Sequence, residues 1–472
     1  MSHDFFARHF GLEDGLYHRV MRTALERGGD YCDLFFQQRT TTTIGLEDQK
    51  VDRAFRTEDL GVGIRVLSGD ATGYAFCEEF EESSLHEAAK VASAIAHGGQ
   101  VVAPQAIAAR AHPDLYPAKI PWGSVATEQR LPLLERIDAR AFAENPAVQK
   151  VRIRAMDGET RLLVVDSEGR RSYDEQPMTT IYVFCVAQRG ERKEENHYAV
   201  GARAGLEFYG DELVEKLATE AVRRTLLLFE AVQPRAGEMP VVLAAGSSGI
   251  LLHEAIGHGM EADFNRKGIS IYSDKVNQRI AEPFVSIVDD GTIPSARGSI
   301  NVDDEGNDTE RTVLVEGGVL RTFLHDRISA RHYGVAPTGN GRRQSFRHAP
   351  LPRMRNTYML PGPHAPEEII RSVERGIYAE SFTNGQVKIG AGDFTFYIKS
   401  GYLIEGGQLT RPIKDVNLIG NGPQVLRDGV MVGTDLELDQ GGWTCGKDGQ
   451  SVPVSLGMPT VKVSAITVGG VG

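Results

Sequence analysis

Met239-Pro240-Val241-Val242-Leu243-Ala244 leads almost directly into Leu251-Leu252-His253-Glu254-Ala255-Ile256-Gly257-His258-Gly259-Met260-Glu261-Ala262-Asp263. The first run is short, apolar and β-branched, as a buried strand is. The second predicts a helix from about Ser248 to Asp263. It carries two histidines five residues apart, and that spacing makes a regular helix awkward. Residues four apart on an α-helix diverge by roughly 40° in azimuth, and those five apart by roughly 140°. Two rings at about 140° cannot meet one ion. Either the helix ends between them or it widens into a π-turn, which brings i and i+5 to one face. Gly257 and Gly259 flank the second histidine and lower the cost of a backbone distortion. The expectation is a helix irregular near Gly257.

Imidazoles are the commonest metal ligands, and a carboxylate beside one can act as general base to a metal-activated water. The His-Glu-x-x-His metallopeptidase pattern has this composition with one residue fewer between its histidines. The competing reading is two ordinary histidines on a half-buried helix. His86-Glu87 provides an internal control, because Lys90 and Val91 follow where a second ligand would stand; that pair reads as surface. A catalytic zinc site usually takes a third protein ligand. Cys445 is the favoured candidate, in the glycine-rich turn Gly441-Gly442-Trp443-Thr444-Cys445-Gly446-Lys447-Asp448-Gly449-Gln450. The nearby Lys447 is expected to favour its thiolate. Glu261 or Asp263 could complete the set instead, leaving Cys445 a plain buried thiol.

Arg342, Arg343, Arg347, Arg353 and Arg355 cluster around His348. Guanidinium forks suit a substrate carboxylate or an oxyanion; a solvated basic loop or a subunit contact accounts for the cluster equally well. Asp303-Asp304-Glu305-Gly306 lacks the spaced ligands of a calcium loop and reads as an acidic turn. Gly390-Ala391-Gly392-Asp393 and Gly420-Asn421-Gly422-Pro423 match no phosphate-loop pattern and read as hairpin turns.

A net charge of −12 over 472 residues argues against nucleic acid or an anionic membrane as the main partner. No apolar run approaches the length of a membrane span. Met1-Ser2-His3-Asp4-Phe5-Phe6 lacks the basic and apolar regions of a secretory signal. Cys32, Cys77, Cys185 and Cys445 are too few and too dispersed for a disulfide framework, and Cys32 and Cys185 lie in apolar strand-like runs. These features place the chain in the reducing cytoplasm.

Along the chain, Glu13–Arg27 reads as an amphipathic helix. Short strands follow at Cys32–Gln38, Thr41–Leu46, Val51–Arg56, Val62–Leu67 and Thr72–Cys77, then a helix over Ser84–His97. Gly98–Trp122 reads as a linker. A helix from Thr127 to about Glu144, strands at Val148–Met156, Thr160–Asp166 and Met178–Ala187, and a helix from Asp211 to about Phe229 repeat the order as a structural echo. Pro234-Arg235-Ala236-Gly237 marks a boundary. The expected organisation is an α+β domain over 1–235, built of units at about 1–98 and 123–235, and a β-rich domain over 236–472 carrying the distorted histidine helix. In that second half the strands are Val313–Val315, Val319–Phe323, Val387–Ile389, Phe394–Ile398 and Leu403–Glu405, with a helix at Glu367–Gly376. Strand-rich runs with helices segregated from them indicate an α+β fold rather than a doubly wound sheet.

The histidine motif followed by Gly259-Met260-Glu261-Ala262-Asp263-Phe264-Asn265-Arg266 resembles the TldD/PmbA family of metallopeptidases. So do Cys445-Gly446-Lys447-Asp448-Gly449-Gln450-Ser451-Val452-Pro453, Arg342-Arg343-Gln344-Ser345-Phe346 and Pro352-Arg353-Met354-Arg355-Asn356-Thr357-Tyr358. The resemblance spans nearly the whole chain, on the side of the catalytic, TldD-type member that carries the histidine motif. It implies one zinc ion on His253, His258 and Cys445, and Glu254 as the catalytic carboxylate. It implies a peptide or unfolded-polypeptide substrate and a PmbA/TldE-type partner subunit or a homo-oligomer. It also sets the arginine cluster near the active cleft, with Arg342, Arg343 and Arg353 as candidate substrate contacts. A thiolate ligand donates more charge than a third imidazole, so a slow, selective peptidase is expected.

Overall fold

The computed structural model describes residues 5–96, 98 and 101–470. Met1–Asp4 of the N-terminal reading, His97 at the end of the second expected helix, and Gly99 and Gln100 of the expected linker lie outside these residues.

The first half is one sheet flanked by helices, antiparallel except where the short strand Ala108–Ala109 runs parallel to its neighbour. Its path runs Ala71–Cys77, Lys50–Ser68, Tyr31–Glu47, Val148–Asp166, Arg170–Arg189, and both Arg192–Ala202 and the short Ala108–Ala109 pair with the Arg170–Arg189 strand. The helices Asp14–Leu25 and Glu82–Ile95 bracket the first three long strands; Thr127–Glu144 and Asp211–Leu227 bracket the next three. The two units therefore share one element order, and they meet through their first strands, Tyr31–Glu47 against Val148–Asp166, antiparallel. Antiparallel pairing of equivalent strands relates the two units by an approximate two-fold turn. The echo in the sequence is thus an arrangement in space.

Several expected strands fuse. Cys32–Gln38 and Thr41–Leu46 are one strand, as are Val51–Arg56 with Val62–Leu67 and Val148–Met156 with Thr160–Asp166. Arg39 and Thr40, the gap between the first two expected strands, pair on both sides, with Asp59 and Glu58 on one and Thr160 and Glu159 on the other. Gly61 and Gly63 stay in the strand because the Phe346 ring and the Tyr74 hydroxyl occupy the space a Cβ would need. The expected linker is a packed strap where it is described: Tyr116 donates to Asp174, and the Trp122 indole donates to the Ala204 carbonyl at 2.8 Å.

In the second half, Arg375–Lys388, Gly237–Leu243, Val461–Gly470, Val416–Asn421 and Asp393–Glu405 pair in succession, and the last pairs back to the first. This closed ring contains the strand that opened the sequence reading. The expected helix Glu367–Gly376 is shorter, Pro366–Arg371, because Ile377 and Ala379 are drawn into parallel register beside Val241 and Leu243. A second, six-stranded sheet runs from Val319–Leu320 to Glu437–Asp439 through Ile287–Asp290 and Asn356–Met359. Leu251, Leu252, Ala255 and Ile256 of the histidine segment are buried in the same core as Leu243, Ile377, Phe396 and Leu456. Strands with helices at their flanks make the fold α+β. Among the described residues no helix is long and apolar enough to cross a membrane.

Candidate metal centre

The histidine segment is helical but not regular. Gly249–Leu252 is α, His253–Gly257 is a π-turn, and His258–Met260 is a 3-10 turn. The His258 amide donates to the His253 carbonyl, the i to i+5 bond that defines the π-turn. The imidazoles consequently lie side by side, with centroids 5.1 Å apart and planes at 80°. Glu261 leaves the helical region at φ −73° and ψ 124°, and the helix restarts at Ala262.

The glycines serve packing rather than backbone freedom. Gly257 has ordinary helical angles, φ −57° and ψ −48°. A Cβ on it would run into the Met354 sulfur, and one on Gly259 would stand 2.9 Å from the Tyr272 ring. The expectation of a conformational role is corrected accordingly: the π-turn is pressed so closely against Met354 that a side chain at position 257 would have to displace the Met354 thioether.

Cys445 arrives from the hairpin Thr444–Lys447/Gln450–Pro453. Its Sγ lies 3.5 Å from His258 Nε2, and ligand atoms of His253, His258 and Cys445 all fall within 4.8 Å of one another, all three residues buried. Burial alone would raise the Cys445 thiol, but the imidazoles of His253 and His258 hold it well below its ordinary range. Lys447, expected to do this, is committed elsewhere: its Nζ lies 2.6 Å from Asp263 and 3.1 Å from Glu261.

Glu261 and Asp263 stand behind the cluster. Glu261 Oε2 is 2.8 Å from His258 Nδ1, which turns Nε2 of that ring toward Cys445. The Lys447 ammonium and the His258 imidazole hold the Glu261 carboxyl down to about 2 against the opposing effect of burial. Both ring nitrogens of His253 are buried with no hydrogen-bond partner among the described residues. A buried polar atom left unpaired is costly, and a neutral imidazole, a thiolate and a second imidazole are the donor set of a zinc site. The residues fit that ion. Glu254 differs from its neighbours in being 23% exposed, with Oε2 3.9 Å from His258 Nε2.

The arginines are not a solvated loop. Arg353 and Arg355 are fully buried. Arg353 donates to the Cys445 carbonyl at 2.6 Å, and Arg355 pairs with Asp289 at 2.9 Å. Arg342 donates to the carbonyls of Met354 and Pro453. Arg343 reaches Asp33 and the Asp304 carbonyl. Only Arg347 is substantially exposed, pairing with Asp59 and Glu78. The acidic turn is likewise buried: Glu305 pairs with Arg65 at 2.7 Å, and Asp303 accepts from the amides of Glu305, Asn307 and Gly341. Sequence reasoning considered Glu261 only as a ligand; its position three residues after His258 on a helical segment was the available sign of a partner to the ring.

Three family models cover most of the chain: PmbA/TldA metallopeptidase domain 1 over residues 32–96, the central domain over 120–229, and the C-terminal domain over 236–470. The Metalloprotease TldD homolog of Haemophilus influenzae is 40% identical over 451 residues, 94% of each chain. The Zinc metalloprotease TldD homolog of Saccharolobus solfataricus is 31% identical over 73% of this chain and 76% of its own. Among solved structures, TldE of Thermococcus kodakarensis superposes with a TM-score of 0.77 at 18% identity, covering 96% of this chain and all of that one. A Thermotoga maritima chain gives a TM-score of 0.79 at 20% identity, over 97% of this chain. The chain belongs to the TldD/PmbA family of metallopeptidases.

Proposed function

We propose that the chain is a zinc peptidase acting on peptides or unfolded polypeptides, with one ion on His253, His258 and Cys445 and Glu254 as general base. The observation that carries this reading is the pair of unpartnered ring nitrogens on His253, beside an oriented His258 and a buried thiol. The name of the Saccharolobus relative, a zinc metalloprotease, supports the choice of ion. Bound there, zinc supplies Lewis acidity, polarising a water and a peptide carbonyl.

The chain's own residues do the rest. Glu261 fixes the His258 tautomer by accepting at Oε2 the proton on Nδ1, which leaves Nε2 free as a donor atom. Lys447 neutralises Glu261 and Asp263, so the carboxylates behind the site do not repel a thiolate in front of it. Arg353 holds the Cys445 carbonyl and thereby the hairpin that carries the thiol. Glu254, the exposed member, takes the proton of the attacking water on a carboxylate oxygen and returns it to the leaving amine. A thiolate ligand makes a weaker Lewis acid than a third imidazole would, consistent with slow, selective processing.

The fold match to TldE supports a paralogous PmbA/TldE-type partner subunit. Four free cysteines, one of them a proposed ligand, suit a reducing cytoplasm. We further infer a boundary near residue 235, where the closed ring of strands begins.

Metal analysis combined with a peptidase assay on an unfolded substrate tests the reading, using wild type and Glu254→Ala with and without the partner. Near-stoichiometric zinc in both proteins and activity lost in the variant is the expected result. Zinc in both with no activity under any condition points instead to a zinc-stabilised scaffold that binds without cutting, and equal activity in both overturns the role of Glu254.

A further inference from the structure

A cavity of about 260 Å³ lies between the N-terminal sheet and the hairpin that carries Cys445; Thr444, Ser451 and Val452 form part of its wall. Five guanidinium groups face it: Arg39, Arg203, Arg297, Arg342 and Arg343. They come from the strand Tyr31–Glu47, the turn after Arg192–Ala202, the loop after Ile287–Asp290, and the 342–343 pair. Nothing in the sequence joins them.

Their partners are almost all neutral. Arg39 donates to the Gln344 carbonyl and the Thr160 hydroxyl. Arg203 donates to the Gln176 amide oxygen. Arg297 donates to the Trp443 carbonyl and the Thr180 hydroxyl, and Arg342 donates to two carbonyls. Among the described residues only Arg343 of the five has a carboxylate within 4 Å, Asp33 at 3.3 Å. Of the lining acids, Asp157 belongs to Arg130 and Glu159 to Arg161. Asp304 is the one lining carboxylate without a cation within 4 Å among the described residues. Four unpaired guanidiniums therefore face one unpaired carboxylate.

Arg203 and Arg342 are 3% exposed, and the Nε of Arg203 has no hydrogen-bond partner among the described residues. Burial presses Arg342 down to about 9 and Arg297 to about 10, and repulsion from Arg203 adds to both. Arg39 is lowered by the same two causes. Buried like charges are held together only where something opposes their repulsion and desolvation. Arginine forks match the planar oxygens of carboxylate and phosphate. The volume holds roughly eight waters at about 30 Å³ each, enough for a small multivalent anion or the end of a peptide.

We propose that this cavity is an oxyanion-binding site, built by Arg39, Arg203, Arg297 and Arg342, for a group carrying at least two carboxylate or phosphate oxygens. Met156, Thr444 and Ser451 are exposed at its margin and leave it open to solvent. The same chemistry is offered by a free small anion and by the carboxylate of a peptide. The site itself stands apart from the peptidase reading; only the peptide source depends on it.

The experiment is calorimetric titration of the full chain carrying Glu254→Gln, at constant ionic strength in chloride. Inorganic phosphate and pyrophosphate probe the free-anion source. A peptide with a free C-terminus and the same peptide as its C-terminal amide probe the substrate source. Saturable one-to-one binding is expected, weakened about tenfold or more by Arg39→Gln or Arg297→Gln, as loss of a charged hydrogen bond implies. Pyrophosphate binding with acid and amide peptides alike assigns a free anion. Preference for the free-acid peptide, competed by pyrophosphate, assigns the substrate carboxylate. Hydrogen exchange on the unsubstituted chain gives a second readout, with pyrophosphate protecting the backbone near 203, 297 and 342. Absence of saturable binding, binding unchanged in both variants, or no protection at those positions overturns the proposal. Loss of peptidase activity alone leaves it intact, because every readout here is binding.

Discussion

Glu261 Oε2 is held between an imidazole and an ammonium, 2.8 Å from His258 Nδ1 and 3.1 Å from Lys447 Nζ. Neither Glu261 nor Lys447 is a proposed ligand, yet together they decide which nitrogen of His258 faces Cys445. Glu261→Gln keeps the shape and removes the charge that fixes the tautomer. Zinc affinity is expected to fall about 10- to 100-fold. Competition with a chromogenic chelator reads this directly, and unchanged affinity would show that the ring needs no such support.

Gly257→Ala tests the packing role of the π-turn. The added methyl meets the Met354 sulfur on a segment with no exposed side to relax toward. Overpacking of this kind costs about 1–3 kcal/mol, and zinc binding should weaken with it. Met354→Ala in the same chain should recover part of the zinc affinity. Failure of that rescue would assign the effect to the backbone and not to the contact.

Arg353→Met removes the charged donor to the Cys445 carbonyl, which the Val452 amide of the hairpin ladder also serves. A loss of about 1.5–3 kcal/mol in stability follows from losing a hydrogen bond made by a charged group. A positioning role predicts more: cobalt substituted for zinc should show a weakened thiolate-to-metal absorption band, which simple destabilisation does not alter in the folded fraction. An unchanged band per bound cobalt would reduce Arg353 to a structural residue.

His325, beside the Leu324 that bridges to Glu261, predicts a pH dependence of stability. Burial pushes its imidazole down to about 4. A histidine whose folded pKa lies below its unfolded value of about 6.5 contributes stability that is fully present above 6.5 and is lost as pH falls toward 4. The loss reaches about 3 kcal/mol by pH 4. Urea unfolding with chelator present throughout should show this slope in wild type and a flatter one in His325→Gln. Parallel slopes would place the acid sensitivity elsewhere.

The histidine helix was legible in the sequence because its constraint is local. Five-residue spacing and helical geometry together force a distortion near Gly257, and the structure supplies it as a π-turn. The α+β class was legible for a similar reason, since apolar periodicity and turn residues act over a few positions. Strand lengths were less so: whether the chain breaks at Arg39 and Thr40 depends on partners more than a hundred residues away. The arginine cluster shows the limit most clearly. Arg342, Arg343 and Arg353 lie close together in sequence, yet Arg353 supports the Cys445 hairpin while Arg342 and Arg343 face a cavity with Arg39, Arg203 and Arg297. The sequence by itself determined which groups can hold a metal or an anion, because that is fixed by side-chain chemistry and short-range spacing. Only the tertiary structure decided which of them meet and which are spent on the fold, because burial and long-range pairing assign each donor its acceptor.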